Sequence, residues 1–291
     1  MGKITLVGYG NQGKAWAANL RDSGWEVQVS GRPAGVGMGR ACKDGFATLP
    51  ASELRNLSGA IALLLPDESI SSFFLEFLAG GKNRQFIFAH GFSVTFKRPP
   101  FSASDDVILV APKGIGQKLR ENFIQGTGVL GAVAVEQDAS GSARSTMKAL
   151  ADGLGLSRVG LIETSFAAET KCDLLSEQVV LCGIVPRLVR ETTEFLVKKG
   201  IDRRLASYEC LNELKLIVDM MVEHGVDGMY ERISSAARWG GLQAADVMLS
   251  RQELEARTEL LWERIENGAF ASELLARIER KKNGTQEEAR I

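Results

Sequence analysis

The sequence has no excess of charge of either sign, almost no histidine, no paired cysteines and no long apolar run, and each shortage removes a class of function. Lysine and arginine total 35 against 36 aspartate and glutamate, a net charge of -1, so nothing argues for nucleic acid or an anionic membrane as partner. A small molecule is the expected partner. No apolar stretch approaches the roughly 20 residues that a bilayer-spanning helix needs. The opening M-G-K-I-T-L-V-G-Y-G enters a strand and a glycine loop at once, leaving no room for a signal peptide. A cytoplasmic location is expected. Cys42, Cys172, Cys182 and Cys210 show no C-x-x-C spacing and sit in apolar or helical contexts, so they read as reduced core thiols rather than as a thiol catalyst. Internal repeats, low-complexity tracts and proline-rich linkers are also missing, while 291 residues suffice for two domains and a sizeable core.

What is present starts at residue 3. A β-branched run, Lys3 to Val7, ends in G-Y-G-N-Q-G and is followed by K-A-W-A-A-N-L-R-D-S-G, which has helical periodicity and a glycine stop at Gly24. Strand, glycine loop and helix in that order are the context of a dinucleotide fingerprint: Gly8 for the tight turn, Gly10 for approach of the pyrophosphate, Gly13 for helix packing. Tyr9, Asn11 and Gln12 complete the predicted cofactor loop. The next strand, Glu26 to Ser30, leads to S-G-R-P-A-G-V-G-M-G, where a carboxylate would mark NAD; Arg32 stands there instead and points to the 2'-phosphate of NADPH, with NADH as the alternative.

Further strands are predicted at Ala60 to Leu65, Phe86 to Ala89, Val107 to Ala111, Val129 to Val135 and Arg158 to Ile162, with helices between them. Apolar strands alternating with helices imply a doubly wound parallel sheet of Rossmann type covered on both faces. Ligands in such sheets lie at the carboxyl ends of strands, which puts Leu65, Pro66, His90 and Lys113 on one rim, with the nicotinamide. His90 is one of only two histidines.

From about residue 163 the strand signals stop, and helices are predicted at 166–182, 185–199, 203–223, 227–238, 251–266 and 270–281, before a polar tail, N-G-T-Q-E-E-A-R-I, expected to be disordered. The predicted division is a dinucleotide-binding domain over 1–163 and an all-helical domain over 164–291. Asp173 and Glu177 lie four residues apart among Leu174, Val180 and Leu181, and Glu209 and Glu213 repeat the device among Leu, Ile, Val and Met. Carboxylates four apart on a helix share a face. Set among apolar residues they are costly unless a positive charge pairs with them, and two divalent cations would serve. The apolar second helix also suggests burial against another subunit.

Over nearly its whole length the sequence resembles the short class of ketol-acid reductoisomerases. The resemblance rests on G-Y-G-N-Q-G, L-L-L-P-D-E, F-A-H-G-F, V-A-P-K-G, E-Q-D-A-S-G, E-T-S-F-A-A-E-T-K-C-D-L-L-S-E-Q-V-V-L-C-G and E-C-L-N-E-L-K-L-I-V-D. It implies two Mg²⁺ ions, bridged by Asp173 and also held by Glu177 and Glu209, with Glu213 in the adjoining polar shell at the metal and substrate. The last two carboxylates would come from the partner in an intertwined homodimer, which could associate further. Ser234 would bind the substrate carboxylate, and His90, Lys113 and Glu213 would be catalytic. The implied reaction is alkyl migration in 2-acetolactate or 2-aceto-2-hydroxybutanoate, assisted by the ions, then hydride transfer from NADPH to give a 2,3-dihydroxy acid.

Departures from the family pattern gather around cofactor and substrate. Lys14 follows the glycine loop where the family has histidine, and Gly35 and Gly37 stand where two serines meet the 2'-phosphate. A-H-G-F continues S-V-T-F, P-K-G-I-G ends at Gln117, and Arg232 and Arg238 flank Ser234 in R-I-S-S-A-A-R. These leave room for a paralogue that reduces another keto acid or an imine. A catalytically silent dinucleotide-binding dimer is the reading from outside enzymology.

Overall fold

The computed structural model describes residues 2–32 and 35–282; the polar tail lies outside the described residues. The chain forms two units, one running to Thr170 and resuming at Ala271, the other Lys171–Phe270. In the first unit the order is β1 (Lys3–Val7), α1 (Asn11–Asp22), β2 (Glu26–Gly31), α2 (Val36–Lys43), β3 (Ala47–Pro50), β4 (Gly59–Leu63), α3 (Asp67–Phe77), β5 (Arg84–Phe88), α4 (Phe92–Phe96), β6 (Asp106–Pro112), α5 (Gly116–Ile124), β7 (Gly131–Gln137), α6 (Ala143–Leu154) and β8 (Leu161–Glu163). Among the described residues eight strands join one sheet in the order β3-β2-β1-β4-β5-β6-β7-β8. The order reverses between β1 and β4, the switch point at which doubly wound sheets open a ligand crevice.

Strand alternation explains why these segments are apolar throughout. Ile4 and Leu6 of β1, Ala62 of β4, Ile87 of β5 and Ile108 and Val110 of β6 belong to one buried cluster with Trp16, Leu20 and Leu150. Val7, Ile61, Leu63, Phe86, Phe88, Val107 and Leu109 face the other way, onto Phe73 and Phe74. Both faces are covered, so successive residues are buried in turn. Each fully buried phenylalanine here contributes about 1.5–3 kcal/mol.

Two expectations need correction. The sheet is not wholly parallel, because β7 runs antiparallel to β6, with Leu109 opposite Ala134 and Pro112 opposite Gly131. The cysteines are not core residues: Cys42, Cys172 and Cys182 are exposed and Cys210 is half-buried. The strand β3, paired with β2 on the edge, was not expected at all.

Asp106 opens β6 in a polar nest. Its carboxylate accepts from Ser140 Oγ (2.6 Å), the Ser140 amide (2.9 Å) and Gln85 Nε2 (2.8 Å). Burial pushes its pKa up, but these hydrogen bonds together outweigh burial and hold it below the ordinary value. A carboxylate depressed in the folded state adds stability above its unfolded pKa and loses it as pH falls through the folded one. Urea melts between pH 7 and pH 3 are therefore expected to weaken below about pH 4. Asp106→Asn presents an amide to three donors, so it is expected to be less stable at pH 7 and to show a flatter acid limb. An unchanged limb would discharge Asp106 from that role.

The segment after β8 is helical. It comprises α7 (Phe166–Ser176), α8 (Val185–Lys198), α9 (Arg203–Ser207), α10 (Glu213–Arg232), α11 (Ser235–Met248), α12 (Arg251–Glu266) and α13 (Ala269–Lys282). Helices expected at 166–182 and 203–223 are interrupted: residues Glu177–Ile184 and Tyr208–Asn212 are π-helical. The break expected between helices at 203–223 and 227–238 falls at Gly225 (φ 75°), where α10 leaves helical geometry, but the second stretch ends at Arg232 and Ser234 then caps α11. No helix among the described residues is long and apolar enough to cross a membrane.

Candidate active site and cofactor pocket

The glycine loop is shaped as its spacing demands. Gly8 has φ 106°, and a Cβ there would stand 2.6 Å from the Leu64 carbonyl, so only glycine makes this turn. A Cβ on Gly13 would collide with the Gly8 carbonyl, which brings α1 close under the loop. Around Gly10 a Cβ would find nothing within 4 Å, which leaves room for a ligand at the start of α1. Asn11 begins that helix, and Gln12 Nε2 donates to the Gly114 carbonyl (2.9 Å), tying the loop to the end of β6.

A cavity of about 400 Å³ opens over this loop, lined by Gly8, Tyr9, Gly10, Ser30, Gly31 and Arg32, by Gly35, Gly37, Met38 and Arg40, and by Leu64, Leu65, Pro66 and Ser69. It lies at the carboxyl ends of β1, β2 and β4, across the switch point, and among the described residues no carboxylate lines it. The glycine-rich lining and its lack of negative charge suit the phosphates of a dinucleotide. Tyr9 forms its buried wall, with its hydroxyl donating to Asp44 (2.8 Å) and Lys14 also on Asp44 (3.2 Å). Burial and that bond push the Tyr9 phenol far above its ordinary pKa. Arg32 is engaged elsewhere, donating to Ser72 Oγ (3.3 Å) and lying 3.9 Å from Glu76.

The second cluster sits on the rim of the same sheet. His90 follows β5 and Lys113 follows β6, and both meet Glu169 of α7, whose side chain is 1% exposed. Lys113 Nζ donates to Glu169 Oε1 (2.7 Å), and the Gly91 amide donates to Oε2 (2.9 Å). His90 Nε2 stands 3.8 Å from that same oxygen, while Nδ1 is 3.0 Å from Asp67 at the start of α3. A Cβ on Gly91 would press on the Phe166 carbonyl at 2.5 Å, so H-G is what lets α7 approach. The result is a histidine and a lysine gathered by two carboxylates, a set that can hold and move protons. Neither Glu169 nor Asp67 was picked out from the sequence. Glu169 was legible as the first of three acids at four-residue spacing, with Asp173 and Glu177; Asp67 stood in the P-D-E at the end of a strand.

The remaining predicted residues belong to the second unit. Asp173 is one turn beyond Glu169 on α7 and half-buried. Glu177 opens the first π-helical segment and Glu209 lies in the second, with Glu213 directly after it; all three are exposed in the single chain. The expectation that apolar neighbours bury them is thus not met within one chain, because those neighbours are exposed too: Leu181 is 60% and Leu211 56% exposed. Single π-helical turns recur at functional sites. Gly183 permits the first, since a Cβ there would collide with the Gln178 carbonyl. Four carboxylates are an all-oxygen donor set, suited to Mg²⁺ rather than to zinc. Ser234 caps α11, accepting from the Ala237 amide (3.2 Å). Arg232 beside it donates to the Gly228 carbonyl (2.9 Å).

A βαβ glycine loop, a carboxylate-free crevice and a proton-handling rim define a nicotinamide-dependent oxidoreductase. Residues 2–160 match the family model described as acetohydroxy acid isomeroreductase, NADPH-binding domain, and residues 166–290 match that of ketol-acid reductoisomerase, C-terminal domain. The chain belongs to the ketol-acid reductoisomerase family and is an NAD(P)H-dependent enzyme. It is 39% identical to the ketol-acid reductoisomerase (NADP(+)) of Methanocaldococcus jannaschii over 93% of this chain and 82% of that one. It is also similar to the solved NADH-preferring ketol-acid reductoisomerase from an uncultured archean, with a TM-score of 0.88, 34% identity, and coverage of 97% and 86% of the two chains. A 1-pyrroline-5-carboxylate reductase from Streptococcus pyogenes shares the fold alone, at a TM-score of 0.57 and 14% identity, covering 91% of this chain and 98% of that one.

Proposed function

We propose that this enzyme converts 2-acetolactate, or 2-aceto-2-hydroxybutanoate, to the 2,3-dihydroxy acid by alkyl migration and reduction, with NADPH and two Mg²⁺ ions. The observation that carries the reading is the His90–Lys113–Glu169 cluster beside the glycine loop, on the helix that continues to Asp173 and Glu177. Asp173 and Glu177 would hold the ions from one subunit, and Glu209 and Glu213 from its partner in a homodimer. Exposed Leu181, Leu211, Val222 (83%) and Trp239 (72%) support such a partner. Ser234 would receive the substrate carboxylate. When bound, the ions supply Lewis acidity to the hydroxyl and keto oxygens, and the dinucleotide supplies the hydride.

The protein residues position and move protons. Lys113, with its Nζ on Glu169 Oε1, presents a positive charge beside the reacting oxygens, and Glu169, shared with the Gly91 amide, fixes where that charge sits. His90, with Nδ1 on Asp67, keeps a set ring orientation and can pass a proton at Nε2. The compartment suited to this chemistry is the cytoplasm, where NADPH and Mg²⁺ are at hand.

The test is NAD(P)H oxidation with racemic 2-acetolactate, in Mg²⁺ and in chelator, with NADPH and NADH side by side. Turnover that needs Mg²⁺ and runs faster with NADPH is expected. If 2-acetolactate fails while 3-hydroxy-3-methyl-2-oxobutanoate is reduced, the enzyme is a reductase without isomerase activity, and the proposal falls.

A further inference from the structure

We infer that Arg40 of α2 is a specificity-determining residue that binds the 2'-phosphate of NADPH; the inference rests on the cofactor half of the proposed function. The predicted phosphate-binding residue, Arg32, is shared with Ser72 and Glu76 of α3. Arg40 is exposed and lines the same cavity, three residues after Gly37, so the two project from one face of α2. It makes no side-chain hydrogen bond or ion pair among the described residues, which leaves its guanidinium available to an incoming anion.

Three further features of the cavity suit a phosphate. Ser30, 1% exposed and lining the cavity where β2 ends, carries a buried hydroxyl that has no hydrogen-bond partner. The N-terminus of the eight-residue α2 has Gly35 as its cap and no side-chain cap bond, so no side chain satisfies its first amides, and Gly35 and Gly37 both line the cavity. The lining also lacks the aspartate or glutamate that would accept a free ribose 2'-hydroxyl and repel a phosphate there. An unengaged arginine and a buried hydroxyl in one carboxylate-free lining suit a phosphate dianion, and arginine's planar fork suits it better than lysine.

What holds α2 in place is also visible. Its C-terminal neighbour Asp44 accepts from Tyr9 and pairs with Lys14, and its carbonyl accepts from Arg21 (3.0 Å). Arg40 is therefore presented from a helix fastened to the glycine loop itself.

The experiment is a binding titration, by calorimetry, of 2'-phosphoadenosine 5'-phosphate, 5'-AMP, NADPH and NADH on the purified full chain and on Arg40→Ala and Arg40→Lys. Wild type is expected to bind the 2'-phosphorylated member of each pair more tightly. Arg40→Ala should weaken those two by about tenfold while leaving 5'-AMP and NADH unchanged, and Arg40→Lys should recover part of the loss. Equal weakening of all four ligands in a variant that melts like wild type, or no weakening, overturns the inference. Wild type that does not discriminate between 2'-phosphoadenosine 5'-phosphate and 5'-AMP overturns it too. No step of the titration needs turnover. Discrimination through Arg40 in a protein inert toward 2-acetolactate would sink the reductoisomerase reading and leave the inference standing.

Discussion

Asp173→Asn is expected to abolish turnover of 2-acetolactate while leaving nicotinamide binding intact. The substitution keeps the shape of the side chain and removes one negative charge from the acid series on α7. Metal-assisted charge stabilisation is worth several kcal/mol in a transition state, so losing the proposed bridging ligand should lower kcat by roughly 10³-fold or more. A second readout does not depend on activity. Millimolar Mg²⁺ should raise the melting temperature of wild type through binding linkage and should leave that of Asp173→Asn unmoved. Turnover within tenfold of wild type, or a wild type indifferent to chelator, would remove the metal reading.

The second large effect is expected at Glu169, for a different reason. Its carboxylate is buried and accepts from Lys113 Nζ and from the Gly91 amide, with His90 near the same oxygens. Glu169→Ala deprives a buried amide and a partly buried ammonium of this acceptor, at a cost of about 2–4 kcal/mol in stability. Turnover should fall by roughly 10²-fold or more, because Lys113 and His90 lose the group that fixes their places. Glu169→Gln separates the two effects: it fills the same volume and can still accept from Gly91, so most stability should return while activity does not. Urea melts and steady-state rates on the two variants check this. Recovery of full activity in Glu169→Gln would show that the charge is not needed.

How much of this was legible depends on which physical signal each element carries. The strands of the first unit were visible because residues such as Phe86, Ile87 and Phe88 are buried on alternate faces of a covered sheet, and the run of apolar residues records that. Direction leaves no such record. Buried on either side, β7 looks the same read up or down, so its antiparallel pairing with β6 could not be foreseen. The edge strand β3 is only four residues long, Ala-Thr-Leu-Pro, with none of them buried and no β-branched run, so no periodicity announces it. At the site, the glycine loop was legible because steric demands allow only glycine at Gly8 and Gly13. His90 and Lys113 were found because each follows a strong strand. Glu169 stood first in a series of three acids and Asp67 in a P-D-E after a strand, but the role of each comes from what the fold brings beside it, which the spacing does not record. In the second unit, the gap between the helices expected at 203–223 and 227–238 was legible at Gly225, where the backbone takes a positive φ that glycine holds without strain.

The π-helical turns at Glu177–Ile184 and Tyr208–Asn212 act as one-residue insertions in otherwise α-helical runs. An extra residue rotates everything downstream by about 100° about the helix axis. The phase of the apolar stripe therefore differs before and after each candidate ligand set, and a single period of 3.6 cannot describe both sides. The sites are in this sense held open by two local frameshifts of the helix. Deleting one residue within 178–183 would close the first into regular α-helix, and the surface presented by α8 would turn away from its present face while Asp173 stayed where it is.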